Sequence, residues 1–124
     1  MARRKSEQSL YEVVFITRPD VATDRVSSLT ERYTKLVTES NGKVIKTEQW
    51  GLRTLAYPMN KHRKGYYTLL GCQMPGTVIT EMERQMKISD DVIRFMTVKV
   101  EEISDKPSPV SRNDYEGDDD RYAA

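Results

Sequence analysis

One cysteine, Cys72, and one histidine, His62, are the only thiol and the only imidazole that the 124 residues offer a metal. A single thiol excludes an internal disulfide framework, and one Cys with one His cannot complete a four-ligand zinc site. Long apolar runs are missing as well. Nothing approaches the ~18 residues of a membrane span, and the opening MARRKSEQS lacks the apolar stretch of a secretory signal. Its Arg3, Arg4 and Lys5 resemble the charge of a transit peptide, but the stretch is very short and Leu10 already opens regular structure, so a transit peptide is not the expectation. A soluble protein of a reducing compartment is the expectation. A strong excess of one charge is also absent. Twenty Lys+Arg against 19 Asp+Glu leave a formal charge of +1, whereas a nucleic-acid-binding domain is expected to have a pI above ~9.

What is present is one domain's worth of chain, at ~150 residues per domain, able to bury roughly 65% of its unfolded surface around a single core. The near-zero charge hides a split. Residues 105–124 hold six acidic and three basic side chains, or −3, so residues 1–104 carry 17 basic against 13 acidic, or +4. Between Lys43 and Leu70 the bases are Lys43, Lys46, Arg53, Lys61, Arg63 and Lys64, and Glu48 is the only acid, giving +5.

The hydrophobic pattern orders the chain. LYEVVFIT at 10–17 is β-branched and aromatic, closes at Arg18-Pro19-Asp20, and is apolar on both faces, as a central strand would be. Val26, Leu29, Tyr33, Leu36 and Val37 form a helical stripe, predicting a helix over about 23–40 with Thr23 as N-cap and Asn41-Gly42 as its stop. KVIKTEQWGLRTLAY at 43–57 reads as a long strand bulged at Gly51, its pairing ending near Tyr57 because Pro58 has no N–H to donate. After the basic connector 59–64, GYYTLLGCQM at 65–74 is the return strand of a hairpin. A second helix comes next, with Thr77 as N-cap and Val78, Ile79, Met82 and Met86 facing inward. The last strand is read over 92–103. The order β-α-β-β-α-β is an α+β, ferredoxin-like split βαβ, with a four-stranded antiparallel sheet and both helices on one face. The opposite face is expected to be free for a partner. The expected division is a flexible basic arm at 1–9, a folded domain at 10–104 and a disordered acidic tail at 105–124.

Catalytic chemistry is poorly represented. Cys72 lies late in a strand among Leu70, Gln73 and Met74, where a small buried hydrophobe explains it better than a nucleophile. His62 between Lys61 and Arg63 reads as a solvated loop residue, and Asp90-Asp91 as turn chemistry. There is no P-loop, GxGxxG or HExxH. The competing class, a small enzyme or ligand-binding regulatory domain, would need a concave pocket holding a titrating group of perturbed pKa.

Binding chemistry is better served. Lys61, Arg63 and Lys64 occupy a hairpin tip, with Trp50, Arg53, Tyr57, Tyr66 and Tyr67 on the strands leading to it. Cations release counterions from phosphates, and aromatic planes stack on unpaired bases. For Tyr66 or Tyr67 taken singly a core role is favoured, since alternate strand residues must face the helices. An RRM is excluded. Lys64-Gly65-Tyr66 opens like its third-strand motif, but Tyr67, Thr68 and Gly71 stand where the motif continues with a small residue and stacking aromatics.

Trp50-Gly51-Leu52-Arg53-Thr54-Leu55-Ala56-Tyr57-Pro58-Met59-Asn60-Lys61, followed by Gly65-Tyr66-Tyr67, closely resembles the signature of the family of the sixth protein of the bacterial small ribosomal subunit. Tyr11-Glu12, Pro19-Asp20, Gly42-Lys43 and Ile88-Ser89-Asp90-Asp91-Val92-Ile93-Arg94 match it too, so the resemblance covers 10 to about 103. It implies a non-catalytic structural constituent of the small subunit of a cytoplasmic or organellar ribosome, without cofactor or metal. The family binds the central domain of small-subunit rRNA, in the platform, together with ribosomal protein eighteen of the small subunit. By position, Lys61, Arg63, Lys64 and Arg94 become the RNA-facing candidates, and Trp50, Leu52, Arg53 and Tyr57 the candidates for the protein partner. Ser9-Leu10 stand where the family commonly has an Arg, so Arg3, Arg4 and Lys5 are the candidates to supply that contact. The family's Glu-rich end, to which glutamates are added in some members, has no counterpart in the final Arg-Tyr-Ala-Ala.

Overall fold

A computed structural model describes residues 8–59 and 62–104. The elements run β1 (Gln8–Thr17), α1 (Thr23–Glu39), β2 (Lys43–Met59), β3 (His62–Pro75), α2 (Gly76–Ile88) and β4 (Val92–Val100). The sheet order is β2-β3-β1-β4, with every pairing antiparallel. This is the ferredoxin-like arrangement, with β1 in the centre as its two apolar faces require. Tyr11 lies between Cys72 and Lys99, and Ile16 between Tyr67 and Arg94.

The helix-side core joins Val13 and Phe15 of β1 and Leu70, Cys72 and Met74 of β3 to Leu29, Tyr33 and Val37 of α1 and to Val78, Ile79, Met82 and Met86 of α2. Phe15 meets Tyr33 edge to face, ring centroids 5.2 Å apart, the geometry that aromatic quadrupoles favour. A polar thread crosses the same layer. Thr68 Oγ1 donates to Gln49 Oε1 at 2.9 Å, and Gln49 Nε2 donates to Thr30 Oγ1 at 3.1 Å, tying β3 and β2 to α1.

Several local expectations are corrected. Neither threonine caps its helix. Thr23 is the first residue of α1, where the Ala22 carbonyl accepts from the amides of Arg25 and Val26, and α2 starts at Gly76 directly after Pro75. The α1 stop is divided between two residues: Asn41 takes the left-handed conformation at φ 66°, while Gly42 N–H donates to Val37 O at 2.8 Å. A Cβ on Gly42 would come within 2.8 Å of Gln73 O, so close approach is what demands glycine there. Regular β2–β3 pairing stops earlier than Tyr57, at Thr54↔Lys64, and resumes at Met59↔His62. Residues 55–58 thus stand against Arg63 alone, an irregularity that accommodates the missing donor of Pro58. His62 begins β3 and is not a loop residue. β4 ends at Val100, short of 103, because the chain turns across the sheet and sets Ile103 over Gly71.

The face away from the helices is not bare. Val14, Ile16, Trp50, Leu55, Tyr67 and Leu69 form a second buried cluster, joined by Ile93 and Met96. Trp50 and Tyr67 stack at 6.1 Å, and Tyr67 is fully buried. The core role expected for a tyrosine of this pair therefore falls to Tyr67, but on the far face. Gly51 at φ 82° shifts the β2 register by one residue beside Trp50.

Candidate nucleic-acid interface

The β2–β3 hairpin sorts the basic charge of its sequence. Lys46 Nζ lies 3.3 Å from Glu48, both largely buried, so this cation is committed to the far face of the sheet. Glu48 also accepts from Trp50 Nε1 at 2.7 Å, which fixes the indole over Tyr67. Beyond that cluster, Arg53 pairs in register with Gly65 and Thr54 with Lys64. Arg53 Nε donates to Trp50 O at 3.1 Å, which orients the guanidinium along the strand. Arg63 and Lys64 are exposed.

Gly65 makes this geometry possible. A Cβ there would come within 2.4 Å of Ile16 Cγ2 and 3.0 Å of Thr17 O, so only glycine lets β3 press against the end of β1 with Arg63 and Lys64 immediately before it. Arg94 arrives at the same end from the opposite edge. It pairs with Ile16, which pairs with Tyr67, so Arg94 lies three strand spacings from β2, or about 14 Å. Its Nε is buried and donates to no partner among the described residues. One end of the sheet therefore presents Arg53, Arg63 and Lys64 on one side and Arg94 on the other.

Of the partner candidates, Leu52 is 46% exposed, opposite Tyr66, Arg53 is half-buried, and Trp50 is only 5% exposed, a buried support for the strand. Tyr57 falls in the irregular part of β2. Arg3, Arg4, Lys5 and Lys61 lie outside the described residues, as do the expected basic arm up to residue 7 and the acidic tail from residue 105.

An ion-pair node went unread in the sequence. Asp91, whose sequence neighbours mark only a turn, is 5% exposed and receives Arg18 Nη2 at 2.9 Å and Arg25 Nε at 2.8 Å. The Arg18 hydrogen bond, with help from Arg25, holds its carboxyl below the usual range against the opposing effect of burial. The signal was a pair of arginines flanking the first turn, 73 and 66 residues away, which only the fold brings to Asp91. Next to it a groove of about 690 Å³ runs between the helices, lined by Arg25, Leu29, Arg32, Arg84 and Ile88. Both Asp91 oxygens are engaged by arginines and its pKa is lowered, which leaves a weakly basic carboxylate poorly suited to proton transfer near neutral pH. Cys72 is fully buried, and desolvation pushes its thiol up to about 12, so it is no nucleophile. Among the described residues no three His, Cys, Asp or Glu gather as metal ligands, and no helix is long and apolar enough to cross a membrane.

Fold and surface together define a small ferredoxin-like domain with Arg53, Arg63, Lys64 and Arg94 at one end of its sheet. The family model described as ribosomal protein S6 matches residues 10–99, and the chain belongs to that family. It is 51% identical over 102 residues to the small ribosomal subunit protein bS6 of Hyphomonas neptunium, covering 82% of this chain and 91% of the relative. It is 49% identical over 105 residues to that of Parvibaculum lavamentivorans, covering 85% and 68%. The crystal structure of 30S ribosomal protein S6 from Thermotoga maritima superposes with a TM-score of 0.71 at 31% identity, over 75% of this chain and 88% of that one. The protein is thus a structural constituent of the small ribosomal subunit, as the resemblance implied, and of the two locations left open there, cytoplasmic or organellar, its bacterial relatives point to the cytoplasmic ribosome.

Proposed function

We propose that the chain binds small-subunit rRNA, in the central domain that forms the platform, through Arg63, Lys64 and Arg94, with Lys61 and the N-terminal Arg3, Arg4 and Lys5 adding to the same contact. Ribosomal protein eighteen of the small subunit docks on the long second strand at Leu52, Arg53 and Tyr57, with Trp50 bracing that strand from beneath. The observation that carries this reading is the convergence of Arg63 and Lys64 with Arg94 at one end of the sheet, beside the exposed Leu52. A net +4 over residues 1–104 supports only a few phosphate contacts, each contributing roughly 0.7–0.9 of log–log salt slope, so the protein partner supplies much of the affinity.

A salt titration of rRNA binding tests this, carried out with and without protein eighteen. Wild type is expected to bind weakly alone and more tightly with the partner, and Arg63→Ala/Lys64→Ala to lower both affinity and slope while leaving thermal unfolding unchanged. Tight binding that ignores both the partner and the double substitution would refute the proposal.

A further inference from the structure

The chain leaves β4 at Val100, on the edge of the sheet, yet Ile103 already lies over β3. The position of a Cβ on Gly71 is 3.1 Å from Ile103 Cγ2 and 3.4 Å from Lys46 Cβ. Because Leu70 and Cys72 belong to the helix-side core, Gly71 faces the other way, and residues 101–104 cross the face opposite the helices from β4 over β1 to β3. Gly71 is the notch that seats this crossing. Ser104 is therefore delivered onto the half of the sheet formed by β3 and β2, which holds the basic hairpin.

Beyond Ser104 the sequence turns acidic. Residues 114–120, DYEGDDD, carry Asp114, Glu116, Asp118, Asp119 and Asp120 with no base among them. From Gly71 to Gly65, the partner of Arg53, is six strand residues, or about 20 Å. The ten residues from 105 to 114 can span up to about 33–36 Å, so the acidic segment can reach the hairpin base. Alternation along β3 sets Arg63, with Gly65 and its partner Arg53, on the same face as Gly71. We propose that residues 114–120 dock on Arg53 and Arg63 of their own chain, occupying that face of the cationic hairpin in place of an RNA backbone until RNA displaces them. The Ile103–Gly71 seat makes the encounter intramolecular and raises its effective concentration. Attraction between such exposed charges is screened by salt, with a Debye length of ~10 Å at 0.1 M, which makes the device reversible. This rests on the reading of the hairpin as RNA-facing, but the intramolecular contact itself requires no RNA.

The test uses the full chain. Asp118→Asn/Asp119→Asn/Asp120→Asn is compared with Glu31→Gln/Glu39→Gln/Glu83→Gln, which alters net charge equally on the helical side. In amide NMR spectra without RNA, the first triple is expected to shift the resonances of Arg53 and Arg63, and the second to leave them in place. In binding to a 20-nucleotide uridine strand at low salt, the first triple is expected to gain on the order of three- to ten-fold over wild type. The second should gain no more than about two-fold, and both differences should close in high salt. Absent amide shifts in the first triple, or equal gains from both triples, would overturn the proposal. Amide shifts without RNA binding by any form would keep the intramolecular contact and refute only the RNA-facing reading.

Discussion

Asp91 receives Arg18 across 73 residues of sequence, Nη2 to Oδ1 at 2.9 Å, while the amide of Arg18 donates to the carbonyl of Asp91 at 2.9 Å. Backbone and side chain thus join the first turn of the protein to the entry of its last strand. The node sits beside the β1–β4 irregularity at Ile16/Thr17, just upstream of Arg94.

Replacing Asp91 with Asn is expected to destabilise the fold by about 2 kcal/mol, the scale of a hydrogen-bonded charge, and to lower Tm by roughly 10 °C. Its carboxyl ionises more readily folded than unfolded. The contribution is therefore complete above the unfolded pKa of ~3.9 and is lost as pH falls through the lower folded value. Arg18, whose pKa is raised by Asp91, stays protonated throughout and adds no slope. Urea titrations between pH 2 and 7 should show wild-type stability falling at the acid end, and a flatter profile for Asp91→Asn.

Two glycines of the hairpin should respond differently to alanine. At Gly65 the new Cβ meets Ile16 Cγ2 at 2.4 Å and the Thr17 carbonyl at 3.0 Å, so overpacking of about 2–3 kcal/mol is expected. At Gly51 nothing lies within 4 Å, and only the backbone cost of φ +82°, about 1 kcal/mol, applies. Chemical denaturation of the two variants should rank Gly65→Ala as the worse; the reverse order would contradict the packing described.

The Gln49 thread predicts an asymmetry. Gln49→Ala leaves the fully buried Thr68 hydroxyl without its acceptor and should cost about 1–3 kcal/mol. Adding Thr68→Val to that variant should recover part of the loss, since the orphaned hydroxyl is then gone. A double-mutant cycle measures the coupling.

The buried Cys72 thiol, raised to about 12 by desolvation, should ignore an aromatic disulfide reagent at pH 8 in the native protein. Labelling should follow the rate or population of unfolding, and Asp91→Asn should accelerate it.

Residues whose role is set by neighbours in sequence were legible. The stripe Val26, Leu29, Tyr33 and Val37, the alternation in β1 and the bulge at Gly51 all follow from local periodicity or backbone freedom. Properties decided by distant partners were not. The ion pairs of Asp91, the withdrawal of Lys46 onto Glu48, the burial of Trp50 by Tyr67 and the seat of Ile103 on Gly71 depend on which strands become neighbours. The basic hairpin could be named from its residues, but its meeting with Arg94 at one end of the sheet required the β2-β3-β1-β4 order.

That order also fixes when the molecule can fold as it is made. The central strand pairs Leu10 with Gln73 on one side and with Val100 on the other, ninety residues later. At synthesis rates of ~5–20 residues per second, β1 waits roughly 5–18 s for its last partner. Loop closure over such separations is slow relative to local helix formation. During that interval the edge of β1 that β4 will cover is exposed, so a nascent chain of this protein offers an unpaired strand to its surroundings until almost the whole folded domain has been translated.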